Sequence, residues 1–326
     1  MRAAVITLPG VAPAPTDHPD PVDAPGRTVV RVEAAPIAPL DLLAASGTSY
    51  FGVPATPYVP GVQGVGRTPD GTAVWFSTDA GMRPGDGSLA ELCSVAEADL
   101  VPLPDGVSPL QAAALGLSAV AAWMILTDSA RLAPGERVLV LGAGGIVGQV
   151  AVQAARLLGA ARVVGAARSA AAQRRAADAG ADVVVPLGDG DDPAALAERL
   201  RDALPGEADV VVDPLCGVPA TAAALALAPG GRLVNLGSEA GPTMAVSSAS
   251  IRARHAAVLG YTNNALSPTQ RRTALEAVLG HAAAGAIAVG YQDCRLDEVT
   301  AAWERQAART GARQVVRIAA APLPGG

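Results

Sequence analysis

The sequence predicts an α/β protein made of a β-rich part and a doubly wound parallel sheet. Three observations predict it. From residue 108 onward, short apolar runs alternate with amphipathic segments at helical spacing. A glycine turn, GAGGIVG at 142–148, sits between one such run and one such segment. The first third has a different texture, with strand-like pieces punctuated by Pro54, Pro57, Pro60, Gly61, Gly64 and Gly66.

Taken in order, TVVRVEAA at 28–35 and TAVWF at 72–76 read as strands of the first part. Strands of the second part are expected at 137–141, 162–166, 182–186, 209–213, 232–236 and 255–261. VGQVAVQAARLLGA at 147–160 carries the period of a helix, and further helices are expected at 193–203 and 219–228. Six strands with intervening helices make a doubly wound parallel sheet. The tail reads as helices near 268–284 and 296–309 and a strand at 313–318. The acidic run at 188–193 reads as a surface loop, and Asp41 as the cap of a helix beginning after it.

Composition narrows the function. The 326 residues suffice for two domains, and half of them are apolar. A net charge of −6 and no basic run argue against nucleic acid or an anionic membrane as partner. All 24 basic residues other than histidine are Arg, so lysine Schiff-base chemistry is excluded. Cys93, Cys216 and Cys294 are odd in number and widely spaced, which fits a reducing compartment rather than a disulfide framework. The first ten residues lack a signal-peptide core, and the apolar stretch 112–126 is shorter than a bilayer span. A cytoplasmic protein is expected.

The turn carries the chemistry. VLVL, then GAGGIVG, then a helix, then ARVVGAA is the order of a βαβ unit that cradles a pyrophosphate. Gly142, Gly145 and Gly148 let the backbone approach the phosphates, and the helix start offers free N–H groups and its positive dipole end. In an NAD site, an acidic residue about twenty positions past the turn meets the ribose 2′-OH. Here that position is Arg168, followed by Ser169, with Arg174 and Arg175 in the next helix. A cation there suits a 2′-phosphate, so NADPH is the expected cofactor.

These motifs resemble the medium-chain dehydrogenase/reductase superfamily, in its zinc-free quinone oxidoreductase branch. The landmarks are PLD at 39–41, PGVQGVG at 60–66, GSLAEL at 87–92 and LVPLPDGVSPLQAAAL at 100–115. LAPGERVLVLGAGGIVG at 132–148, ADVVVDPLCG at 208–217, LAPGGRLVNLG at 227–237 and LDEVTAAW at 296–303 continue the match. The resemblance implies a GroES-like catalytic domain from residues 1–116 and 264–326, and a Rossmann NADPH-binding domain from 117–263. The nicotinamide would lie in the cleft between them. Gly145, Ile146 and Val147 would face the pyrophosphate, and Leu236, Gly237, Tyr261 and Thr262 the nicotinamide side. A lysine common in NADPH-using relatives is Ala172 here.

The zinc-dependent relatives carry metal ligands where this chain has Ala38, Val62 and Leu117, and their proton-relay hydroxyl falls at Leu40. The resemblance therefore implies a metal-free site. Tyr50 corresponds to a tyrosine that relatives place near substrate, able to hydrogen-bond a carbonyl oxygen; a second such tyrosine is Leu43 here. The implied activity is NADPH-dependent hydride transfer to a small electrophile, a quinone or an α,β-unsaturated carbonyl. Reduction of an enoyl thioester or imine in a biosynthetic pathway is the alternative, as is an NADPH-binding sensor or scaffold without turnover. Relatives commonly form homodimers through the segment corresponding to 244–261.

Overall fold

The computed structural model describes residues 1–22, 24–49, 51–309 and 312–318. The chain forms two compact units: residues 1–116, 268–284 and 290–326, and residues 117–267 with 285–289.

The first unit begins with β1 (Arg2–Val5) and β2 (Ala14–Asp17), paired antiparallel. Then come β3 (Arg27–Pro36), α1 (Pro39–Ala45), β4 (Gln63–Arg67), β5 (Ala73–Ser77), β6 (Leu92–Ala96) and β7 (Leu100–Pro102). Alternation along β3 puts Val30, Val32 and Ala34 inside, as a strand with one buried face requires. Val30 and Val32 pack with Ile6, Ile37, Phe76 and Leu89 in one core. Sequence patterning found β3 and β5 but missed β1, β2, β4, β6 and β7. Those strands are three to five residues long, and QGVGR in β4 has weak strand propensity. Asp41 does not cap a following helix. α1 already starts at Pro39, placing Asp41 inside its first turn.

α2 (Pro109–Met124) runs on through a π-helical turn to Ser129 and is broken at Gly116, whose φ is 36° and ψ −136°. This run of 21 residues is longer than the 112–126 stretch and is long and apolar enough to cross a membrane by length and composition. Its most apolar window is 67% buried within the protein, as in a core helix.

The second unit contains β8 (Arg137–Leu141), α3 (Ile146–Leu157), β9 (Arg162–Ala167), α4 (Ala170–Asp178), β10 (Val183–Pro186), α5 (Pro193–Ala203), β11 (Ala208–Asp213), α6 (Gly217–Leu225), β12 (Leu227–Asn235), α7 (Ser248–Arg254) and β13 (Ala257–Gly260). Its six strands are parallel, in the order β10-β9-β8-β11-β12-β13. That is the doubly wound order, with the direction of winding reversing between β8 and β11. Runs such as RVLVL and ADVVVD are almost continuously apolar because helices cover both faces. Two expected boundaries are corrected. The helix expected at 219–228 ends at Leu225, because Leu227 already pairs with Ala208. The strand expected at 255–261 begins at Ala257, because His255 ends α7 in a left-handed conformation with φ 51°.

The tail consists of α8 (Pro268–Ala283), β14 (Tyr291–Arg295), α9 (Val299–Ala307) and β15 (Arg313–Arg317). The first turn expected of the 296–309 helix is a separate 3-10 segment, Leu296–Glu298, followed by α9. β15 pairs antiparallel with β3 and parallel with β14, completing a seven-stranded, mostly antiparallel sheet in the first unit.

Candidate dinucleotide-binding site

β8 ends at Leu141 and α3 starts at Ile146, so residues 142–145 must turn the chain. Gly142 takes φ 61°, in the left-handed region. The turn is pinned by two backbone bonds, Ala143 N–H to the Ala166 carbonyl and Gly145 N–H to the Gly142 carbonyl, both 3.0 Å. The first α-helical bond of α3 runs from Gln149 N–H to the Gly145 carbonyl at 2.8 Å. Ile146, Val147 and Gly148 therefore present N–H groups that precede the helical ladder, at the positive end of the helix. Gly148 packs against the turn itself. A Cβ there would strike the Gly142 carbonyl oxygen and come within 2.5 Å of Ala143 Cα. The buried Gln149 reinforces the turn, donating from Nε2 to the Gly144 carbonyl at 3.0 Å.

Arg168 and Ser169 follow β9. Arg168 is exposed and pairs with Asp189 at 3.3 Å. Ser169 is the N-cap of α4, its oxygen accepting the Ala172 N–H at 3.2 Å. Its own hydroxyl proton makes no hydrogen bond among the described residues.

The predicted residues Leu236, Gly237, Tyr261 and Thr262 follow β12 and β13. Leu236 N–H donates to the Asp213 carbonyl at 2.9 Å, and Tyr261 N–H to the Asn235 carbonyl at 2.8 Å. The Tyr261 hydroxyl donates to Asn263 Oδ1 at 2.7 Å, and the Thr262 hydroxyl oxygen accepts the Asn264 N–H at 3.2 Å. All of these positions, with 142–148 and 168–169, lie beyond the C-terminal ends of parallel strands, on one edge of the sheet that contains the β8–β11 reversal. Ligands of open parallel sheets bind at such an edge.

Three contributors were not singled out from the sequence. Asp213, fully buried at the end of β11, accepts the N–H groups of Leu215 at 2.9 Å and Cys216 at 2.8 Å on Oδ1. Its Oδ2 accepts Asn235 Nδ2–H at 2.7 Å, and the same amide donates to the Gly237 carbonyl at 2.8 Å. Burial raises the Asp213 pKa, against the lowering effect of these bonds. The pair fixes the backbone of 235–237. The signal available in sequence was a polar residue closing each apolar run, VVVD and RLVN. The third contributor is Gln149.

In the first unit, Tyr50 lies outside the described residues. Ala38 and Val62 are both buried, and Leu43 is exposed. The carboxylate of Asp41 ties the first two together through their backbones. It accepts Ala38 N–H at 2.7 Å, Val62 N–H at 2.8 Å and Gly61 N–H at 3.1 Å. Burial pushes the Asp41 pKa up to about 6, although these N–H groups and the Arg313 charge pull it down. Among the described residues, no three of His, Cys, Asp and Glu converge as a metal site.

Residues 147–279 match the family model described as zinc-binding dehydrogenase. The chain is 32% identical over 279 residues to a phenolphthiocerol/phthiocerol polyketide synthase of Mycobacterium tuberculosis, covering 80% of this chain and 12% of that protein. It is 34% identical over 157 residues to the quinone oxidoreductase of Rattus norvegicus, covering 46% of this chain and 44% of that one. The matched region thus spans less than half the length of either curated relative. Among solved structures, the quinone oxidoreductase of Thermus thermophilus, also solved in complex with NADPH, superposes with a TM-score of 0.82 at 29% identity. That match covers 97% of this chain and 100% of the other.

Proposed function

We propose that this chain, which belongs to the medium-chain dehydrogenase/reductase superfamily as a quinone-oxidoreductase-like member, is an NADPH-dependent, zinc-independent reductase of a quinone or an α,β-unsaturated carbonyl. The observation that carries the reading is the C-terminal edge of the parallel sheet, where free N–H groups, a glycine turn and cations gather. Ile146, Val147 and Gly148 would hold the pyrophosphate by backbone donation, and Arg168 and Ser169 the 2′-phosphate. Asp213 and Asn235 would keep the backbone of Leu236 and Gly237 in place beside the nicotinamide half, with Tyr261 and Thr262. NADPH, when bound, supplies a hydride.

Zinc independence is read from residue types. Ala38 and Val62 have no ligating atoms in their side chains, nor has Leu117. The family model's description mentions zinc, but its match, 147–279, includes none of these positions. Without a Lewis acid, an acceptor that delocalises the incoming charge itself is favoured, and an unconjugated alcohol or ketone is not. Tyr50 is our assignment for the hydrogen-bond donor to the acceptor's oxygen. We place the enzyme in the reducing cytoplasm, as a homodimer paired through the segment 244–261, which ends on β13, an edge strand of the parallel sheet.

A second reading has its own support. The similarity to a polyketide synthase runs over 80% of this chain, which favours an enoyl thioester as acceptor. The test is a panel followed by NADPH consumption: benzoquinones, enones, enoyl-thioester mimics, imines and simple alcohols with NADP⁺. Conjugated acceptors should turn over and alcohols should not. Tyr50→Phe should lower kcat by about 10- to 100-fold. Robust alcohol oxidation would overturn the reading, and binding of NADPH without turnover of any acceptor would leave a sensor or scaffold.

A further inference from the structure

Arg175 stands near the end of the second turn of α4, past the position where sequence spacing looks for a 2′-phosphate partner, yet the fold brings it back to the glycine turn. Its Nε donates to the Gly144 carbonyl at 2.9 Å. The turn and α4 touch at that point, since a Cβ on Gly144 would run into the backbone and Cβ of Ala172. Ala172 and Arg175 are three residues apart on α4 and share a face. A helical side chain leans toward its helix N-terminus, and Arg175 accordingly meets Gly144 where the small Ala172 also touches that glycine. Ser169 and Arg168 mark the end of β9, where the 2′ position of a bound dinucleotide is read.

The two arginines differ in preparation. The Arg168 side chain is 69% exposed and already shares its charge with Asp189, itself 89% exposed. A phosphate arriving there competes with a carboxylate and is screened by water. Arg175 is half-buried, is held by Gly144, and pairs with no carboxylate among the described residues. Its Nη1 and Nη2 make no hydrogen bond among those residues. Partial burial, followed by the neighbouring Arg174 charge, lowers its pKa, the mark of a cation short of counter-charge.

We propose that Arg175 is the pre-organised cation for the NADPH 2′-phosphate and the main determinant of preference for NADPH over NADH. Arg168 adds a shared and screened charge. This rests on the NADPH reading above. The test is calorimetric titration of the wild type, Arg175→Gln, Arg175→Lys and Arg168→Ala with NADPH, NADH, 2′,5′-ADP and 5′-AMP. Gln retains an N–H for Gly144 while removing the charge, and thermal unfolding of each variant monitors the fold. Arg175→Gln should weaken NADPH and 2′,5′-ADP by about tenfold or more, and leave NADH and 5′-AMP within about twofold. Arg175→Lys should keep part of the preference, and Arg168→Ala should lose only about two- to threefold. Equal losses for phosphorylated and unphosphorylated ligands would make Arg175 an anchor of the turn only and overturn the proposal. An unchanged preference in Arg175→Gln would overturn it too. A wild type that binds neither cofactor would instead sink the NADPH reading itself.

Discussion

The same substitution at two helical glycines should have opposite signs. Gly148 is the third residue of α3, and Gly280 lies exposed in α8. Alanine is the better helix former by about 1 kcal/mol, so propensity alone favours Ala at both. At Gly280 nothing lies within 4 Å of a new Cβ, and Gly280→Ala should stabilise by about 0.5–1 kcal/mol. At Gly148 the Cβ meets the Gly142 carbonyl oxygen, lies 2.5 Å from Ala143 Cα and 2.8 Å from the Ala143 carbonyl carbon. These are backbone atoms, held by the bonds of Ala143 to Ala166 and of Gly145 to Gly142. They cannot swing aside as a side-chain tip would. Overpacking costs about 1–3 kcal/mol, and shifting the turn forfeits roughly one further hydrogen bond, about 1 kcal/mol. The net for Gly148→Ala is a loss of about 1–3 kcal/mol once the propensity gain is set against these costs. NADPH binding should weaken as well, because the free N–H groups move with the turn. Hydrogen exchange of peptides covering 146–157 and 268–283 reads each helix separately, alongside urea denaturation. A Gly148→Ala protein as stable as Gly280→Ala would refute the reasoning, since it would mean the turn yields at no cost.

Two further outcomes follow from the buried carboxylates. The folded-state pKa of Asp41, about 6, lies above its ordinary value of 3.8. Below about pH 4 folded and unfolded chains both hold the proton, and above about 6 neither does. Between them only the folded chain does, so the stability this group contributes is lost as pH rises through that window. Asp41→Asn cannot titrate. The difference in unfolding free energy between wild type and variant should therefore change by roughly 2–3 kcal/mol between about pH 4 and pH 7, and a pH-independent difference would count against it. Asn235→Ala removes the donor to Asp213 Oδ2 and to the Gly237 carbonyl. It should cost about 2 kcal/mol in denaturant unfolding and raise the Asp213 pKa further, visible by carboxyl NMR; unchanged values on both would show that the pair supports nothing.

The βαβ unit, its glycine turn and the doubly wound sheet were legible in the sequence because each is locally encoded. Buried parallel strands write themselves as runs such as RVLVL and ADVVVD. The turn needs a left-handed residue at Gly142 and room at Gly148, and only glycine supplies both. The short strands of the first unit were illegible for the converse reason. β1, β6 and β7 carry too few residues to display a period, and they are strands because β2, β3 and β5 lie beside them.

Side-chain partnerships were decided by the tertiary structure alone. Asp41 reads locally as a helix cap, but it joins α1 to Gly61 and Val62, 20 and 21 residues on. Arg168 reads as a free cation until Asp189 is folded against it. Arg175 reads as one more surface residue of an amphipathic helix until Gly144, 31 residues earlier, accepts its Nε–H. Asp213 and Asn235 become a pair because parallel strands β11 and β12 put their ends in register. The glycine turn, the longer helices and the buried parallel strands depend on residues close by in sequence, which a sequence displays. The partner of a buried charge depends on which distant backbone groups the packed core leaves within about 3 Å of it, and no local spacing encodes that.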